Sequence, residues 1–289
     1  MSQSWPVIDC HFHIGVNGIV TFLGEEELIP WMDRAETDLQ YVCQNNEGFT
    51  HKTPDWNPFI GNDYVSKVQQ MYPQRIRGLA TVNPYQQAPV QYHWPSAKEG
   101  QIFDKLVRNE TLEELERCIV DLGLFGLKMH PHLHGYPVNF RPLIWPMMEL
   151  LVYLQRQVKR KLMILIHGGG ESLFNSPEAI GDLAAHFPDL LFLHAHAGFI
   201  WGGFNVADHS AKQDNVLLDL TTCSQKSVVI ESYRRFGAEK FCVGTDGPFV
   251  GHYVARNIVY DLTEDPEERA LILGGNLARI LGIPNLKGQ

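Results

Sequence analysis

The stretch LMILIHGGGESLFNSPEAIGDLAAHFPDLLFLHAHAG, residues 162–198, carries the fold reading. It holds two continuous apolar runs, LMILIH (162–167) and LLFLHAH (190–196), on either side of SPEAIGDLAAHF (176–187), whose apolar residues recur with a helical period. Ser176 is placed to cap that helix and Pro177 to open its first turn, where the N–H that proline lacks would have no partner anyway. A strand without polar alternation is buried on both faces, so the unit predicts parallel strands covered by a crossover helix.

The same alternation extends in both directions, with six further runs: VIDC (7–10), LQYVC (39–43), RIRGLATV (75–82), FGLKMH (125–130), NVLLDL (215–220) and KFCVGTD (240–246). Helical segments follow most of them. TLEELERCIVDLG starts with Thr111 as a cap and Glu114 three residues on, and DPEERALIL starts with Asp265, Pro266 and Glu268. Eight strand-helix units predict an α/β fold closed into a (β/α)8 TIM barrel, one domain over residues 1–289. The competing open doubly wound sheet often carries a GxGxxG turn after its first strand, whereas this first strand ends in HFH. Two irregular segments, 45–61 and 83–109, follow strands at the end where barrels build sites and are expected as substrate-side loops.

The chain has 289 residues, 44% of them apolar, which suffices for a large core. Its net charge of −9 leaves no face suited to phosphate backbones, so a nucleic-acid partner is not expected. Apolar stretches such as Met147 to Leu154 fall far short of the ~20 residues that a membrane span needs, and the start MSQSWPVIDC has no signal-peptide pattern. Five cysteines without a CxxC pair read as reduced, mostly buried thiols, and the expected location is cytoplasmic. Lys159, Arg160 and Lys161 close a helix, where cations complement the negative end of its dipole.

Thirteen histidines are the functional clue, because most stand at the ends of apolar runs. His11 and His13 flank Phe12, and a period of two sends both imidazoles to one face, as a divalent ion of the zinc type requires. His167, His196 and Asp246 end three more runs, each with a Gly within two residues. Four strands thus deliver ligand-type side chains to one barrel rim, which points to a metal site. His194 shares a parity with His196 and reads as a hydrogen-bonded core histidine.

The ordered set IDCHFHIG, GLKMHP, LIHGGG, HAHAG, GTDGPF and GGNLARILG resembles the amidohydrolase superfamily, in the branch that includes aminocarboxymuconate semialdehyde decarboxylase and the resorcylate decarboxylases. The resemblance runs from Val7 to Ile283. It implies that His11, His13, His167 and Asp246 bind one metal, zinc or manganese, with a water completing the shell and His196 beside that water. Lys128 stands where the family often has Lys or Arg, which implies a contact to a metal ligand or to a substrate anion, its alternative being a lysine that snorkels to the rim. His130 matches the same motif. Arg256 follows the eighth strand, as a carboxylate contact or as a solvated charge.

The reaction expected from this set is metal-dependent hydrolysis. A metal-activated water attacks an amide, ester or lactone carbonyl of a small molecule, and His196 or Asp246 takes the proton. A non-oxidative carboxy-lyase would use the same site, with added cationic groups for the carboxylate. A catalytically inactive binding barrel would lack the ligand set. A homodimer is the expected assembly.

Overall fold

In a computed structural model, the residues described are 5–15, 25–44, 58–84, 109–168, 172–198, 208–223 and 226–284. The expected loops at 45–61 and 83–109 lie largely outside them. The strands are β1 (Ile8–Ile14), β2 (Leu39–Gln44), β3 (Ile76–Gly78), β4 (Ala80–Thr81), β5 (Gly126–Met129), β6 (Met163–Ile166), β7 (Leu191–His194), β8 (Val216–Asp219) and β9 (Phe241–Cys242). Between and after them run α1 (Glu25–Arg34), α2 (Pro58–Met71), α3 (Asn109–Val120), α4 (Pro131–His134), α5 (Arg141–Gln157), α6 (Pro177–His186), α7 (Asp208–Ala211), α8 (Lys226–Phe236), α9 (His252–Leu262), α10 (Pro266–Ala270) and α11 (Asn276–Leu281).

All strand pairs are parallel, in two sheets of order β1-β2-β3 and β4 through β9. The two sheets form one ring. β3 and β4 are a single run interrupted at Leu79, whose N–H still donates to Val42 O at 2.8 Å, and Phe125 N donates to Gly78 O at 2.7 Å. At the other seam the chain beyond β9 lies along β1. Cys10 N bonds Val243 O at 2.9 Å, Asp246 N bonds His11 O at 2.8 Å, and Phe12 bridges Gly247 in parallel. The expected eight-stranded closure is therefore present, with RIRGLATV supplying one strand in two pieces.

The uniform apolarity of the runs has a direct cause. Met163 and Leu165 enter the inner cluster with Leu191, Leu193 and Leu217, while Ile164 and Ile166 face the helix layer with Phe192 and Leu143. Trp5, Phe125, Leu277 and Leu281 close the inner cluster at the strands' N-terminal end, which leaves the opposite end for polar groups. Ser176 and Asp265 cap α6 and α10 as expected, accepting from Ala179 N at 3.3 Å and Glu267 N at 2.8 Å. Thr111 does not cap α3. The helix begins at Asn109, and the Thr111 hydroxyl instead donates to Asn83 O at 2.9 Å. Among the described residues no helix is long and apolar enough to cross a membrane, and all five cysteines are free and buried.

Candidate metal centre

One irregularity in β1 shapes the site. Ile8 and Asp9 pair with Leu39 and Gln40, and the register then slips, so that Phe12 and His13 pair with Val42 and Cys43. The slip is a β-bulge, which places one extra residue on the strand and re-aims its side chains. Cys10 joins the inner cluster, and His11, the next residue, reaches the inner groups Lys128, His13 and Asp246. Phe12 packs outward, edge-on to Trp31. His13 resumes the inward direction, so both imidazoles of HFH enter the barrel.

His11 Nε2, His13 Nε2 and Asp246 Oδ1 lie 3.0–3.2 Å from one another. The far nitrogens of both rings are engaged. His11 Nδ1 meets Asp219 Oδ2 at 3.1 Å and His13 Nδ1 meets the Gln44 carbonyl at 3.3 Å. Because these partners are acceptors, each ring carries its proton on Nδ1 and turns a lone pair toward the other ring and the carboxylate. Three lone-pair donors meeting at one point suit a divalent cation, and the trio fits one. Burial and then the Lys128 ammonium lower the His11 pKa well below its ordinary value. Burial opposes ionisation of Asp246, but the His11 and His13 imidazoles override it and hold this carboxyl well below the usual range.

His167 is not in this trio. Its Nδ1 lies 3.1 Å from His196 Nε2, and its ring stacks on His130 with centroids 3.8 Å apart. His196 remains close to the trio, 5.4 Å from His11 between ring centroids, and its Nδ1 meets Thr222 Oγ1 at 2.8 Å. Burial leads the causes that keep His130 and His196 well below the ordinary histidine pKa. Lys128 is fully inside, in register with the inward Leu165, and its Nζ lies 2.7 Å from His11 Nε2.

His196 reaches the site by a route that parity does not describe. His194 is in register with the outward Ile166, so it points to the helix layer, where its Nδ1 meets Ser210 Oγ at 2.8 Å. The chain then turns through His196 and Ala197 at φ 66° and 41°. Thr222 and Asp246 are also left-handed, at φ 52° and 53°. Such conformations cost residues with a Cβ about 1–3 kcal/mol each and persist where surrounding contacts over-determine them. Here three of the four, His196, Thr222 and Asp246, carry side chains that the cluster uses.

Arg256 is not brought to the cluster. Its guanidinium lies 3.4 Å from Thr37 Oγ1 and 3.9 Å from Glu36 Oε2, just before β2 and therefore at the barrel end opposite the histidines. A helix start after the last strand points its early residues at the rim, but one turn further down they face the neighbouring helix. The sequence reading also passed over Asp219, Thr221, Thr222 and Asp9. Thr221 donates its hydroxyl and its N–H to Asp219, at 2.5 and 3.0 Å. Asp9 accepts from His11 N, Thr245 N, Gln40 Nε2 and Thr245 Oγ1 at 2.7–3.1 Å, fastening β1 to the chain beyond β9, and burial raises its pKa to about 6. A signal existed for Asp219, which ends an apolar run just as His167 does.

The chain belongs to the amidohydrolase family, whose model matches residues 8–283. A 2-keto-4-carboxy-3-hexenedioate hydratase from Sphingobium sp. (strain NBRC 103272 / SYK-6) is 24% identical over 255 residues, 76% of this chain and 69% of that protein. The structure of 5-carboxyvanillate decarboxylase LigW from Sphingomonas paucimobilis superposes with a TM-score of 0.66 at 16% identity, covering 97% of this chain and 100% of that one. A dihydroxybenzoic acid decarboxylase from Polaromonas sp. JS666, with bound manganese and the inhibitor 2-nitroresorcinol, gives 0.64 at 14% identity, covering 96% and 97%.

Proposed function

We propose that the chain is a divalent-metal-dependent lyase acting on a small carboxylated substrate, adding water to it or releasing CO2 from it. The observation that carries this reading is Lys128, a residue 1% exposed whose Nζ lies 2.7 Å from His11 Nε2. A buried ammonium beside the ligand cluster sets a charged hydrogen-bond donor where a substrate carboxylate would meet the metal ligands. The hydratase and decarboxylase relatives, whose names give carboxylated substrates, agree with it.

His11, His13 and Asp246 would hold the ion, with His167 as a further ligand from β6. Imidazole donors favour zinc, while a relative binds manganese, so zinc is the proposed resident ion and elemental analysis decides. When bound, such an ion supplies Lewis acidity, polarising a substrate oxygen and making a coordinated water acidic near neutral pH. His196, kept neutral by burial and oriented through the Thr222 hydroxyl, would take the proton of the water or substrate hydroxyl and hand it to carbon, completing the hydration or filling the position that CO2 leaves. Lys128 binds the carboxylate, and His130, stacked on His167, walls the pocket beside it. Asp246 would stay a carboxylate throughout, its charge matched by the ion it helps to hold.

A substrate panel on the zinc-loaded and manganese-loaded chain tests the reading. Unsaturated keto-dicarboxylates should show hydration, or hydroxybenzoates CO2 release. Turnover confined to uncharged lactones or amides would establish the hydrolytic chemistry instead.

A further inference from the structure

The barrel floor carries a feature unrelated to the metal centre. Tyr41 and Arg77 are register partners on β2 and β3, and Tyr41 belongs to the inner cluster, so Arg77 also points into the barrel. Arg160, on the approach to β6, comes to the same place. The two guanidinium carbons lie 4.5 and 4.4 Å from the centre of the Phe125 ring, the aromatic that closes the inner cluster. An arginine on the inward face of a barrel strand is unusual, because branched apolar residues ordinarily fill that space.

Neither arginine has a carboxylate partner among the described residues. Arg77 gives Nη1 to Ile76 O at 3.1 Å and to Pro73 O, and Arg160 gives Nη2 to Leu124 O at 2.6 Å and Ile119 O at 3.2 Å. Arg160 thus serves carbonyls at and beyond the end of α3, not those of the helix it follows. Each guanidinium keeps Nε and its other Nη, and the Nε of Arg160 is buried without a partner. Tyr41 is buried as a residue, and its hydroxyl makes no hydrogen bond to the described residues. Burial pushes both guanidiniums below their ordinary pKa, yet arginine stays charged at any physiological pH, so the positive charge persists.

We propose that Arg77, Arg160 and Tyr41 form an anion-binding site in the barrel floor that takes a small, multiply charged oxyanion. Guanidinium forks match phosphate and carboxylate oxygens, the phenol adds a neutral donor, and Phe125 holds the forks in place by stacking. The site lies at the end of the strands opposite His11 and His13, so its ligand is distinct from the substrate.

The test is calorimetric titration of the metal-loaded full chain with inorganic phosphate, and separately with succinate, at constant ionic strength. Saturable binding of either anion is expected, at least tenfold weaker in Arg77→Met and in Arg160→Met and several-fold weaker in Tyr41→Phe, which keeps the ring packing. His13→Ala, which should lack the ion, is titrated metal-free beside metal-free wild type, and the two should bind the anions alike. No saturable binding of either anion would overturn the proposal. So would binding that disappears in His13→Ala but survives in both arginine variants. Should an arginine variant fail to fold, unchanged affinity in Tyr41→Phe and Arg77→Lys overturns it equally.

Discussion

Asp219 accepts the Nδ1 hydrogen of His11 at 3.1 Å while Thr221 bonds both of its carboxylate oxygens, so the imidazole that opens the cluster is aimed by a carboxylate two strands away. Partners of this kind fix the tautomer and raise the basicity of a ligating ring, and their loss typically costs ~10–100-fold in metal affinity. Asp219→Asn should fold and should bind zinc or manganese weaker by about that factor in a chelator competition. Equal affinity would remove Asp219 from this role.

Removing the ion is the complementary experiment. An ion that binds only the folded chain stabilises it by mass action, and His11, His13 and Asp246 come together only on folding. Chelation should lower the melting temperature and abolish turnover, with both restored by added metal. His13→Ala should contain well under one ion per chain by elemental analysis and should lose the metal-dependent part of the melting temperature.

Two glycines are needed because the backbone passes too close to a histidine to admit a side chain. A Cβ on Gly244 would stand 2.5 Å from His11 Cβ and 2.7 Å from Asp219 Oδ1, and one on Gly168 would stand 2.2 Å from His194 Cδ2. Gly168→Ala and Gly244→Ala should each destabilise the fold by about 1–3 kcal/mol in denaturant titration. Gly244→Ala should in addition weaken metal binding, whereas Gly168→Ala should act on stability first.

His194 makes a pH prediction with a definite sign. Burial lowers its pKa from 6.5 to about 4, so the unfolded chain binds the proton more readily. Its contribution is intact above pH 6.5 and is lost as pH falls toward 4, by about 3 kcal/mol. Comparing unfolding free energies of the wild type and His194→Asn at pH 7 and pH 4 isolates that loss. A variant that falls as steeply as the wild type would exclude His194 as the cause.

Lys128 separates carboxylate recognition from other roles. Lys128→Met should raise KM for a carboxylated substrate at least tenfold, and Lys128→Arg should recover part of that. An unchanged KM would leave Lys128 no part in binding the carboxylate.

The architecture was legible because doubly buried strands have no polar alternation to disguise them, as LMILIH and LLFLHAH show. His11, His13 and Asp246 were legible too, since ligand-type residues at the ends of such runs have few other reasons to be there. The hidden parts depend on geometry that periodicity does not encode. The slip after Asp9 turns two consecutive side chains inward, and the left-handed turn at His196 undoes the parity that would have sent His194 and His196 the same way. Arg256 failed for a related reason, because helical residues change direction by 100° per step and one turn separates a rim contact from a contact with Thr37.

The barrel is sealed where the chain beyond β9 meets β1, and the ligand trio straddles that seam: His11 and His13 belong to the first strand, Asp246 to the stretch after the last. An ion held there acts as a clasp between the beginning and the end of the polypeptide. The three donors do not meet until the final strand has docked, so a circle left open by truncation or misfolding would have no such pocket to offer an ion.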